Sequence, residues 1–116
     1  MKTVNSYNIQ IWVGLKEGYD GEQHSIKEVE EELQQFTDAL GECITITPTK
    51  YIYKNGNEEG VVIGLINYPR FERKSEELTG RAFEIASMLM RKFKQYRVTI
   101  TTPDVTYMME SDELYF

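Results

Sequence analysis

Val61-Val62-Ile63-Gly64-Leu65-Ile66-Asn67-Tyr68-Pro69 is apolar at both alternating sets of positions, the pattern of a β-strand covered on both faces. The other segments are read by what they can place against it. Upstream, Tyr7, Ile9, Ile11, Val13 and Leu15 alternate with Asn8, Gln10, Trp12, Gly14 and Lys16, which predicts a strand with a single core face. Ser25-Ile26-Lys27-Glu28 is a capping box: the serine hydroxyl accepts from the third helical amide while the glutamate reaches back. The helix that follows carries Ile26, Val29, Leu33, Phe36 and Leu40 at steps of three and four, ends on Gly41, and turns its glutamates to solvent.

A second strand is expected from about Cys43 to Tyr53. Pro48 cannot donate to a ladder, so this strand lies at an edge or carries a bulge. Residues 55–60 are polar and glycine-rich, a turn region leading by a hairpin into the opening stretch. A second helix begins near Ser75 as N-cap, with Glu76 and Glu77 in its first turn and a core stripe of Leu78, Ala82, Ile85, Ala86, Leu89 and Phe93. Phe83 and Met90 widen that stripe, for a broad core contact or a partner helix. Arg97 to Thr102 alternates as a short strand, and residues 105–109 are a candidate fifth. Residues 1–109 are thus read as one domain and 110–116 as an acidic tail, for which disorder is the default.

With 116 residues the chain is long enough for one core, burying roughly 65% of its unfolded surface. Its formal charge of -6 argues against wrapping duplex nucleic acid by general phosphate attraction. The charge is uneven: residues 17–59 hold eleven Asp/Glu against three Lys, and residues 70–97 hold eight Lys/Arg against four Glu. Either the two helices have solvated faces of opposite sign, or the second half binds an anion. Cys43 is the only cysteine, which suits a reducing cytoplasm and leaves no internal disulfide. His24, the only histidine, falls in the loop before the first cap. No leader and no apolar run of about 20 residues is present, so no membrane contact is expected.

The order strand, helix, strand, strand, helix, strand is that of a ferredoxin-like βαββαβ sandwich: two helices on one face of a four- to five-stranded sheet. Strands one and three are expected as parallel central neighbours. Their open face would expose Asn8, Gln10, Trp12 and Gly14 with one apolar set of strand three, either Val61, Ile63 and Leu65 or Val62, Ile66 and Tyr68. Leaving these in water is unfavourable, which predicts self-association, most simply a two-fold dimer. A C-terminal segment folded over the face is the competing explanation.

If strands one and three are parallel, their C-terminal ends and both helix N-termini emerge on one edge, a common place for ligands. That edge would gather Trp12, Gly14, Lys16, Asn67, Tyr68, Arg70, Arg73, Lys74 and Ser75. Arginines forking onto phosphate and rings stacking on a base would suit a phosphorylated nucleotide. The bland alternatives are a solvated cationic loop, and Trp12 at a subunit interface. Glu77 and Arg81 are expected as a surface helix pair. No catalytic residue, metal set or cofactor motif is read in the chain, although scattered carboxylates such as Asp104 stay open as acids or bases.

Trp12-Val13-Gly14-Leu15-Lys16-Glu17, Thr45-Ile46-Thr47-Pro48-Thr49, Gly64 to Pro69 and Gln95-Tyr96-Arg97-Val98-Thr99 resemble segments of small α+β proteins of bacteriophage and prophage genomes. The resemblance implies an accessory protein of phage infection, acting in the host cytoplasm. Some such proteins are sponges for cyclic nucleotide signals of bacterial immunity, such as Thoeris anti-defence proteins, and others block a host protein. The expectation is therefore a non-enzymatic, oligomeric binding protein that sequesters a phosphorylated cyclic nucleotide. An inhibitor of a host protein, acting through the open face or through Glu28, Glu31 and Glu32, is the first alternative; a small dimeric ferredoxin-like enzyme is the second.

Overall fold

The computed structural model describes residues 1–18 and 21–111. Its elements are β1 (Asn8–Gly14), α1 (Ile26–Leu40), β2 (Thr45–Tyr53), β3 (Gly56–Ile66), a 3-10 turn at Pro69–Phe71, α2 (Ser75–Lys92), β4 (Arg97–Thr101) and β5 (Thr106–Glu110). The strands form one antiparallel sheet in the order β2-β3-β1-β4-β5, with both helices packed on the same face. This is the expected ferredoxin-like α+β sandwich, and β5 extends it beyond β4. The acidic tail expected over 110–116 begins as the last residue of β5; residues 112–116 lie outside the described residues.

β1 and β3 are neighbours, but they are not parallel. Asn8 faces Ile66 and Gly14 faces Gly60, so the two strands run in opposite directions. The tight hairpin after β2 reverses the chain, and the returning strand fills the gap between β1 and β2. The ends of β1 and β3 therefore point to opposite edges of the domain.

The stretch 61–69 sorts its two faces clearly. Val61, Ile63 and Leu65 are buried with Ile9, Ile11, Val13, Val98 and Ile100, while Ile66 is 40% exposed and Val62 half-buried on the other face opposite Trp12. Each fully buried aliphatic side chain contributes about 1.5–3 kcal/mol. From above, α2 supplies Leu78, Ala82, Ile85, Ala86 and Leu89, but α1 only Val29 and Leu33. Leu40, the end of the α1 stripe, is 46% exposed. The breadth of α2 is explained by β5: Phe83 meets Tyr107 edge-on with ring centroids 5.0 Å apart, and Met90 is buried.

β2 is an edge strand. Its pairing runs unbroken from Thr45 opposite Gly64, through Pro48 opposite Val61, to Tyr53 opposite Gly56, with no bulge. The hairpin turns on Lys54 and Asn55, with Asn55 left-handed at φ 63°, so β3 starts five residues before the apolar run. α1 has the expected capping box at Ser25 and Glu28 and a left-handed Gly41 at φ 72°. α2 does not use Ser75 as a cap: Lys74 occupies that position and makes no side-chain capping bond.

Opposite charges on the two halves meet within the domain. Lys92 lies 3.4 Å from Glu32, and Glu42, whose side chain is 2% exposed, receives Arg73 at 2.7 and 2.8 Å and Arg81 Nε at 2.7 Å. Burial would push the Glu42 pKa up, but the two guanidinium groups outweigh it and hold the carboxyl below the usual range. Arg81 also reaches Glu84 at 3.1 Å rather than pairing with Glu77.

A candidate functional site on the open sheet face

The antiparallel pairing separates the nine residues singled out in the sequence. Trp12, Gly14 and Lys16 lie at one end of the sheet, and Asn67 to Ser75 at the other, six strand steps or about 20 Å away. At the far end, Asn67 is used internally: its Nδ2 donates to Asn5 O at 3.0 Å and its Oδ1 accepts from Arg73 N at 2.9 Å. Arg73 is committed to Glu42. Arg70 lies over the Phe71 ring at 5.4 Å, and the Tyr68 hydroxyl, beside the Cys43 thiol, has its pKa pushed up. Asn67, Arg73, Lys74 and Ser75 border an open groove of about 690 Å³ that is also lined by Glu72, Glu76, Glu77 and Asp104. Four carboxylates in that lining weaken it as a phosphate site.

At the near end, a smaller cleft of about 190 Å³ opens on the uncovered face of the sheet. β1 contributes Trp12 and Gly14, β2 Tyr51, β3 Glu58, β4 Arg97 and Thr99, and the α2–β4 connection Gln95. Trp12 is half-buried, with Nε1 donating to Thr101 Oγ1 at 3.1 Å, which fixes the indole against β4. Tyr51 and Glu58 are cross-strand partners of the β2–β3 hairpin. The Tyr51 ring lies across Gly60, where a β-carbon would collide with it and stand 2.7 Å from Val13 O. Gly60 is therefore needed for close approach, not for turning.

The electrostatics of the cleft centre on Glu58. Among the described residues no cation forms an ion pair with it, and burial pushes its pKa up against the opposing charge of Lys16. Burial and the adjacent Glu58 charge push the Tyr51 hydroxyl up to about 12, so it remains a proton donor at neutral pH. A methyl group on Gly14 would come 2.7 Å from Glu58 Oε1 and 2.9 Å from Gln95 Oε1. The bare glycine is what lets those two oxygens lean over β1.

Tyr51, Glu58 and Gln95 escaped the sequence reading. Asn57-Glu58-Glu59 looked like loop, whereas centring the hairpin on Lys54-Asn55 would have paired Tyr51 with Glu58. Gln95 carries no signal of its own.

His24 lies in the loop before the α1 cap, as expected, and its ring bridges Glu28 Oε2 at 2.6 Å and Glu17 Oε2 at 2.7 Å. Burial lowers its pKa, but the hydrogen bonds to Glu28 and Glu17 more than compensate and the net shift is upward. Glu17, Glu22 and His24 bring donor atoms within 4.8 Å of one another, a spacing compatible with a metal ion. Both ring nitrogens are already engaged, so the arrangement acts as a latch between the loop and the α1 cap.

No protein-family model matches the chain, and comparison with curated proteins gives no match. Solved structures do match. A phage SAM lyase in the apo state superposes with a TM-score of 0.81 at 18% identity, covering 97% of each chain. A phage SAM lyase in complex with S-methyl-5'-thioadenosine superposes with a TM-score of 0.74 at 18% identity, covering 97% of this chain and 95% of that one. The neighbours are phage proteins, in keeping with the resemblance noted in the sequence. They overturn the expectation of a non-enzymatic sponge for a cyclic nucleotide: the shared fold is that of a protein named as a lyase, and the molecule held by one of them is a nucleoside thioether without a phosphate.

Proposed function

We propose that the protein binds S-adenosylmethionine (SAM) in the open-face cleft and cleaves it, releasing S-methyl-5'-thioadenosine. The observation that carries this reading is Glu58, a carboxylate without an ion-pair partner among the described residues, in a cleft that also holds Trp12 and Tyr51. A sulfonium cation is attracted both by a partly desolvated carboxylate and by aromatic faces, as quaternary ammonium groups are. The whole-chain likeness to a phage SAM lyase supports the same choice of ligand.

The chemistry explains why no catalytic motif was legible. A sulfonium is an excellent leaving group, and the substrate carries its own nucleophile. Its carboxylate forms a C–O bond to the γ-carbon as the C–S bond breaks with its electron pair going to sulfur. The products are the thioether nucleoside and homoserine lactone, and no proton, water or protein atom is consumed. The protein's tasks are to hold the chain bent for this attack and to keep bulk water away. Loss of SAM would protect phage DNA from any host defence that needs a methyl donor, an anti-defence role in the host cytoplasm. No helix among the described residues is long and apolar enough to cross a membrane.

A cleft of about 190 Å³ is smaller than the 300 Å³ or more typical of sites that enclose a ligand of this size. Self-association through the open face, which Trp12, Val62 and Ile66 share, would close it. Chromatography with mass detection after incubation with SAM tests the proposal. Wild-type protein is expected to produce S-methyl-5'-thioadenosine and homoserine lactone in equal amounts, and Glu58→Gln to lose at least 100-fold in rate. Intact SAM after prolonged incubation would overturn it; 2-aminobut-3-enoate in place of the lactone would replace internal displacement by elimination. Activity requires ionised Glu58, so kcat/KM, which reports the free protein, falls with decreasing pH at a midpoint above the ordinary glutamate value of 4.5.

A further inference from the structure

Gln95 is a polar residue buried at the edge of the core, 5% exposed, and its orientation is fixed. Nε2 donates one hydrogen to Lys16 O at 2.7 Å and the other to Phe93 O at 2.9 Å. Both amide hydrogens are consumed, so the oxygen must point the other way, toward the cleft. Oε1 accepts from no described residue; because no fully buried side-chain polar atom lacks a partner among them, this oxygen is open to the cleft. The backbone reinforces the placement. Lys94, immediately before it, adopts a left-handed φ of 51°, uncommon for a residue with a side chain, and Gln95 N donates to Met90 O at 2.9 Å.

Oε1 of Gln95 and Oε1 of Glu58 stand 2.9 and 2.7 Å from one point above Gly14, so the sum of the two, 5.6 Å, is the most that can separate them. A single nitrogen at ordinary hydrogen-bond distance from each oxygen spans that gap. We infer that these two oxygens form an acceptor-only subsite for the ammonium group of the ligand's amino-acid portion, and that Gln95 thereby separates substrate from product. The inference rests on the SAM reading above. An ammonium supplies several donors and a positive charge, which suits a neutral acceptor beside a carboxylate; the adenine amine is uncharged and flanked by a ring acceptor that would face the same oxygens. Once the C–S bond is cut, the nucleoside product no longer carries an ammonium. It loses this anchor and leaves.

Calorimetry with two uncleaved thioethers, whose sulfur carries no charge, isolates the contact. S-adenosylhomocysteine retains the amino-acid portion, and S-methyl-5'-thioadenosine lacks it. Gln95→Met is expected to weaken S-adenosylhomocysteine about tenfold, the loss of one hydrogen bond to a charged group, and to leave S-methyl-5'-thioadenosine within about twofold. Glu58→Gln, which keeps the side-chain volume, gives the same selective loss and carries the test if Gln95→Met does not fold. Equal weakening of both compounds, or of neither, overturns the subsite while leaving the SAM reading in place. Failure of the wild type to bind either compound overturns both.

Discussion

At the scale of single residues, two charge clusters stabilise the domain over opposite pH ranges. Glu42 is buried between Arg73 and Arg81, and its folded-state pKa is lowered. Its contribution is therefore present above the ordinary value of 4.5 and is lost as pH falls through the lower folded value. Glu42→Ala should cost about 2 kcal/mol in urea titrations at pH 7, moderated because both arginines can return to water. His24 works the other way. Its folded-state pKa is raised, so the latch to Glu17 and Glu28 is complete below 6.5 and is lost as pH rises through the folded value. The melting temperature of His24→Ala should lie below that of wild type at pH 5.5, with the difference shrinking by pH 8.5. Gly14→Ala separates fold from binding: its methyl group would press on the mobile end of Glu58 and on the fixed amide of Gln95, so the variant should keep its circular dichroism spectrum at a modest loss of stability yet bind no S-adenosylhomocysteine.

At the scale of elements, the β2–β3 hairpin is where sequence and structure diverge most. The apolar alternation of Val61 to Leu65 made the buried half of β3 legible, and the capping box and glycine made both ends of α1 legible. The outer half of the hairpin was not, because a strand pair projecting beyond the core needs no apolar face and Asn57-Glu58-Glu59 carries none. The cleft was half legible for the same reason. Trp12 and Gly14 follow from the alternation of β1, which puts them on its uncovered face, whereas Glu58 became a site residue only through pairing with Tyr51 across the turn. Gly60→Ala tests that pairing. A β-carbon there meets the Tyr51 ring and the Val13 carbonyl, so the hairpin must shift, at a cost of about 1–3 kcal/mol measured by denaturation.

At the scale of the whole molecule, strand direction decides what the fold can bring together. The order of elements was legible, but reading β1 and β3 as parallel placed cations and aromatic rings on one edge, and the antiparallel register parts them. The proposed self-association belongs to this scale: sedimentation of Val62→Lys combined with Ile66→Lys should give a monomer that keeps its circular dichroism spectrum and loses SAM cleavage. The strand order also has a temporal side. β1 sits third of five, hydrogen-bonded along both edges and covered by α2, while β2 and β5 each leave one edge of backbone open. In heavy water the amides of Ile9, Ile11 and Val13 should be the last to exchange, opening only when the entire sheet does, and the outward amides of β2 the first. The wall of the cleft that carries Trp12 and Gly14 thus belongs to the slowest-exchanging part of the protein, and the wall that carries Tyr51 to one of the fastest, so a bound molecule would be recorded chiefly as a slowing of exchange along the hairpin.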